Sequence, residues 1–134
     1  MNYTDISVLL VDDDEMIRDC VAAYLEDEGF SVHCSDSAEA ALESIAAIRP
    51  AVCISDLRLP RMNGDEFIIK AHVLCPATGY LLHTGMLYSL SDELRAIGMT
   101  SDDVLLNPIH ELSTLVDKIM HVVSQQGERR NGNA

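Results

Sequence analysis

Short apolar runs alternate along this chain with stretches of helical periodicity, and that alternation leaves few folds open. Residues 6–11 and 51–55 are nearly continuous in apolar side chains, as strands covered on both faces must be. Phe30, Val32 and Cys34 alternate as a further strand, and residues 80–83 and 104–106 supply two more. Between them, apolar residues recur at helical spacing. Ile17, Cys20, Val21, Tyr24 and Leu25 mark one helix, Ala41, Leu42, Ile45 and Ile48 a second, and Leu112, Leu115, Val116, Ile119, Met120 and Val123 the last. A helix over 65–73 and a short one over 91–97 complete the series. Strand followed by helix, repeated end to end, predicts a parallel sheet carrying helices on its faces.

Boundary signals agree with this order. Asp14 stands where a cap of the first helix belongs and Gly29 where it stops. Asp36 and Glu39 have capping-box spacing before the second helix, which Pro50 closes. Ser91 and Gly98 bracket the fourth. Residues 125–134 are polar and contain glycine, so the expected organisation is one domain over 1–124 and a disordered tail over 125–134.

With 134 residues the chain is long enough to bury one core. Although 48% of its residues are hydrophobic, no apolar run nears the roughly 18 residues a membrane helix requires, and the amino terminus lacks a basic segment followed by an apolar one. A cytoplasmic protein without a membrane partner is expected. A formal net charge of -13 argues against direct binding to nucleic acid and favours a protein partner with a cationic face. Cys20, Cys34, Cys53 and Cys75 form no CxxC pair, and the first three fall on apolar faces, the placement of buried free thiols. His33 and His83 lie in strands, His72 in the third helix, and His110 and His121 in the last. None has metal-site spacing, so structural or exposed roles are expected for all five.

Chemistry concentrates where strands end. Asp56 closes the apolar run 51–55 and precedes a loop punctuated by Pro60 and Gly64; the run 6–11 ends in Asp12-Asp13-Asp14. The carboxyl rim of an open parallel sheet is where ligands collect. Several carboxylates gathered there repel unless a cation joins them. Asp14 suffices as a helix cap, so two further carboxylates exceed what a cap needs. The pattern points to a Mg2+-dependent site in which Asp56 accepts a phosphoryl group.

These residues carry a resemblance. Val8-Leu9-Leu10-Val11-Asp12-Asp13-Asp14, Asp56-Leu57-Arg58-Leu59-Pro60-Arg61-Met62-Asn63-Gly64, Leu82-His83-Thr84-Gly85 and Asn107-Pro108 together resemble the receiver domains of two-component response regulators. The resemblance spans nearly the whole chain. It implies a flavodoxin-like, doubly wound α/β/α fold with strand order 2-1-3-4-5, two helices on one face of the sheet and three on the other. It also implies that Asp56 takes a phosphoryl group from a sensor histidine kinase or phosphotransfer protein. Asp13 and Asp56 would ligate Mg2+, joined by the Arg58 backbone carbonyl, and Asp12 would act through metal-bound water. Thr84 would bind the phosphoryl group, with Gly85 leaving room for it. Output would pass to an effector protein through helix four, strand five and helix five; a homodimer is compatible with this. Such a domain is a phosphoacceptor rather than an enzyme. No room remains for an output domain after Val123, so the chain is expected either to act alone or to be an excised receiver.

Two positions depart from the family pattern. Receivers carry a lysine before the proline that follows strand five, and here Asn107 takes its place; Val104 stands where the family usually has Tyr or Phe. Both departures keep a phosphorylation-independent interaction module as an alternative. A haloacid-dehalogenase-type phosphatase using Asp12 and Asp14 is a further one, but it leaves residues 56–64 unexplained. With Asp12, Asp13 and Asp56 ionised, one Mg2+ leaves the cluster negative. Unit charges about 4 Å apart interact by roughly 4 kcal/mol at an effective dielectric near 20, so the missing cation matters. Mg2+ titration should show the native protein binding at least as tightly as Asn107→Lys, in which an internal cation competes. Phosphorylation, or the conformational response to it, should be weaker in the native protein than in that variant; equal values in both would contradict this.

Overall fold

The computed structural model describes residues 5–85, 88–106 and 112–132, with side chains described as far as 125. Five strands form one parallel sheet in the order β2-β1-β3-β4-β5. They are β1 (Ser7–Val11), β2 (Ser31–Ser35), β3 (Val52–Asp56), β4 (Gly79–Thr84) and β5 (Val104–Leu106). The helices α1 (Glu15–Asp27), α2 (Ala38–Ile48), α3 (Gly64–Leu74), α4 (Asp92–Ala96) and α5 (Leu112–Gly132) alternate with them.

Strand alternation splits the interior into two layers. Val8, Leu10, Val52, Ile54, Leu81 and Leu105 face α1 and α5, meeting Val21, Leu25, Leu115 and Ile119. Leu9, Val11, Cys53, Tyr80 and Leu82 face the other way, against Ala41 and Ile45 of α2, Phe67 and Ile68 of α3, and Leu94 of α4. Two helices on one face and three on the other is the expected arrangement. Among the described residues, no helix is long and apolar enough to cross a membrane.

The termini of the helices follow local chemistry. The Asp14 side chain accepts from the Ile17 N–H at 3.2 Å, and Gly29 takes φ 105° just past the end of α1. α2 departs from the expectation by one residue: Ser37, not Asp36, is extended and accepts the Ala40 N–H at 3.1 Å. A serine hydroxyl is short enough to close this bond from Ser37, whose side chain is also buried. α5 continues past residue 124 into the segment expected to be a disordered tail.

Two cysteines correct the sequence expectation. Cys53 and Cys75 are buried, but Cys20 and Cys34 are exposed. β2 is an edge strand whose residues are exposed or half-buried, and Cys20 lies off the α1 stripe of Val21, Ala22 and Leu25 that reaches the core.

Ser37→Ala should lower stability by about 1 kcal/mol, the usual cost of losing an N-cap, whereas Asp36→Ala should be close to neutral. Urea unfolding of the two variants checks the position of the cap.

Candidate functional site

Register brings the site together. Val11 pairs with Ser55, and Asp56 pairs with His83. The β1 ladder continues one residue further, because the Asp12 N–H donates to the Ser35 carbonyl at 3.1 Å. Asp12, Asp56 and His83 therefore form a row across three adjacent strands. Each lies two residues beyond a core residue of the α1/α5 face, Leu10, Ile54 and Leu81 respectively, so the period of two turns all three toward that face. One ligand-type atom from each lies within 4.8 Å of the others.

Asp12 is fully buried. Its Oδ1 accepts the Asp14 N–H at 2.9 Å, and its backbone carbonyl accepts from Arg18 Nη1 at 2.9 Å. Its Oδ2 has no hydrogen-bond partner among the described residues, although His83 Nε2 lies 3.3 Å away. An orphaned buried carboxylate oxygen is costly unless something else answers its charge. Asp56 is half-buried, and its Oδ1 accepts the Arg58 N–H at 3.2 Å. Burial pushes its carboxyl above the usual range; the nearby His83 ring and the Arg58 N–H oppose this, while the charges of Asp12 and Asp13 add to it.

The loop after β3 is held close. Leu57 N–H donates to the His83 carbonyl at 2.9 Å, and Gly64 N–H to the Leu57 carbonyl at 2.8 Å. A Cβ on Gly64 would overlap the Asp56 carbonyl oxygen and lie 2.9 Å from Ser55 Oγ. Only glycine lets α3 begin against the backbone of Asp56.

Residues 8–120 match the family model described as the response regulator receiver domain. The chain belongs to that family. This receiver is 28% identical over 116 residues to the cell cycle response regulator CtrA of Brucella ovis, an alignment covering 87% of the receiver and 49% of the relative. It thus spans about half the length of the curated relatives it matches. Among solved structures, a CheY-like receiver domain protein from Methanospirillum hungatei superposes with TM-score 0.80 at 28% identity, covering 92% of this chain and 98% of that one. Chemotaxis protein CheY4 of Vibrio cholerae gives 0.74 at 30% identity, covering 87% and 98%.

The receiver brings some of the anticipated residues together and sets others apart. Asp12 and Asp56 are neighbours. Asp13 is exposed and lies outside the group of three, although its charge is felt at Asp56. Thr84 ends β4 and is buried, in phase with Leu82 and so on the opposite alternation from His83. Gly85 follows it, exposed. Arg58 is exposed, with its N–H on Asp56. Val104 is half-buried, paired with Leu82. Asn107, at the atypical lysine position, lies outside the described residues.

His83 has a placement that the sequence did not reveal. A structural or exposed role was expected for it; it is buried and stands beside both carboxylates. The signal lay in phase: His83 follows Leu81 by two residues and precedes Thr84, but the β3–β4 register was needed to set it opposite Asp56.

Burial stabilises the protonated form of Asp56 relative to its carboxylate more in the folded than in the unfolded chain. That contribution is complete below the ordinary aspartate pKa and is lost as pH rises through the raised value. Asp56→Asn should therefore raise the thermal midpoint of the metal-free protein at pH 7, modestly because solvent reaches half of the group. The advantage should vanish near pH 3. Scanning calorimetry at both pH values, in chelator, checks it.

Proposed function

We propose that Asp56 accepts a phosphoryl group from a phosphohistidine on a sensor histidine kinase or phosphotransfer protein. The observation that carries this is the buried Oδ2 of Asp12, without a hydrogen-bond partner among the described residues, beside a half-buried Asp56 at the carboxyl rim of the sheet. Asp56, whose carboxylate is partly open to solvent, would attack phosphorus as the P–N bond breaks; the donor imidazole leaves with the electron pair and takes a proton from solvent. Asp56 then carries an acyl phosphate.

The carboxylates of Asp12, Asp13 and Asp56 and the Arg58 carbonyl form an oxygen-rich donor set that suits Mg2+. Mg2+ bound there supplies positive charge against the oxygens of the transferred group. The Thr84 hydroxyl would donate to a phosphoryl oxygen, and Gly85 adds no side chain to obstruct entry. The domain over 1–124 acts in this reading as a phosphoacceptor in the cytoplasm, not as a turnover enzyme.

The signal would leave through α4, β5 and α5 to an effector protein. In support, a cleft lined by Tyr88, Leu90, Arg95, Val104 and Leu106 opens on this face, and Leu106 is exposed. Because Val104 replaces the aromatic expected in β5, the segment after β4 is the better candidate to move. There the Tyr88 hydroxyl donates to Asp65 Oδ2 at 3.2 Å, linking that segment to the start of α3. The absent lysine at position 107 favours one second reading, an interaction module indifferent to phosphate.

Intact-mass spectrometry after incubation with acetyl phosphate separates the two. One added phosphoryl group, dependent on Mg2+ and lost in Asp56→Asn, is expected. No addition to the native protein, or addition that survives Asp56→Asn, refutes phosphorylation at this residue.

A further inference from the structure

We infer that His83 is a nitrogen ligand of the cation held by Asp12 and Asp56, so that the site binds imidazole-seeking transition metals such as Ni2+ and Zn2+ more tightly than Mg2+. This rests on the proposal above that the two carboxylates hold a divalent cation, and it concerns which cation they hold.

The geometry has three parts. Asp12, Asp56 and His83 come from three adjacent strands and offer atoms within 4.8 Å of one another. His83 Nε2 and Asp12 Oδ2 are 3.3 Å apart, yet no hydrogen bond joins them. An ion pair between a protonated ring and the carboxylate would align its N–H on that oxygen. Two ligands of one cation instead sit side by side: at metal distances near 2.1 Å they are separated by about 3.0 Å at a right angle and about 3.4 Å at a tetrahedral one. Finally, both groups are buried, so neither the orphaned oxygen nor the ring exchanges freely with water.

Chemistry then selects the metal. Mg2+ is hard and takes oxygen ligands, so it gains little from an imidazole. Ni2+ and Zn2+ bind imidazole well and stand above the earlier divalent metals in affinity for mixed nitrogen and oxygen sites.

Calorimetric titration of the full chain with Ni2+ and with Mg2+ tests this. His83→Leu, a change to the residue type of its neighbours Leu81 and Leu82, should cost Ni2+ affinity at least about 10–100-fold, the loss that even an outer partner of a metal ligand causes. Mg2+ affinity should stay near the native value. Equal losses for both metals, or no loss for Ni2+, overturn the nitrogen ligand. A second measurement does not depend on how the variant folds: long-range 1H–15N spectra of the native protein should show the His83 Nε2 resonance shifting as Zn2+ is added. An unmoved resonance overturns the inference. Mg2+ binding that persists in both Asp12→Asn and Asp56→Asn overturns the carboxylate site itself. Its loss there, with Ni2+ indifferent to His83→Leu, overturns only the role of His83.

Discussion

Burial of the Asp12 carboxylate is the constraint on which the rest of this structure turns. A carboxylate out of water needs partners for both oxygens, and Asp12 has one on Oδ1 and none on Oδ2 among the described residues. Burial also raises the proton affinity of Asp56, in the same row of the sheet. A sheet selected for stability alone would end these strands in neutral residues. In the proposed function, carboxylates retained here would attract a cation, and that attraction would link the fold to its function.

The scaffold holds this unfavourable group in place from several directions. Leu10, Ile54 and Leu81 anchor the row from below through the α1/α5 core, and the Asp12 N–H extends the β1–β2 ladder past the last strand residue. Asp14 contributes twice, capping α1 with its side chain and giving its N–H to Asp12. Gly64 allows α3 to start against the Asp56 carbonyl, while Leu57 ties the intervening loop to β4. Most of these contacts fix backbone, while the Asp14 N–H holds Oδ1 of the Asp12 side chain. The carboxylates are thereby positioned while their outer oxygens stay available.

Several features were legible before any tertiary structure. The doubly wound order followed from short apolar runs alternating with helical periodicity. Asp56 stood out because it ends such a run ahead of a Pro and Gly loop, and Asp14 because it precedes a helix. Other features depended on distances the chain does not encode locally. Asp36 and Ser37 both suit a cap, and the backbone dihedrals chose Ser37. Cys34 looks apolar-facing by alternation, but β2 lies at the sheet edge, where alternation no longer means burial. His83 carries only its phase with Leu81 and no spacing to its partners, which lie 27 and 71 residues away in sequence.

By itself, the amino-acid sequence determined which segments become strands and helices and which acidic residues end the strands, because those depend on periodicity and on neighbours a few residues apart. Only the tertiary structure decided that Asp12, Asp56 and His83 share one row, that Oδ2 of Asp12 is left without a hydrogen bond among the described residues, and that Asp13 stays exposed. Parallel register and burial are properties of segments far apart in the chain, and they exist only once the sheet has closed.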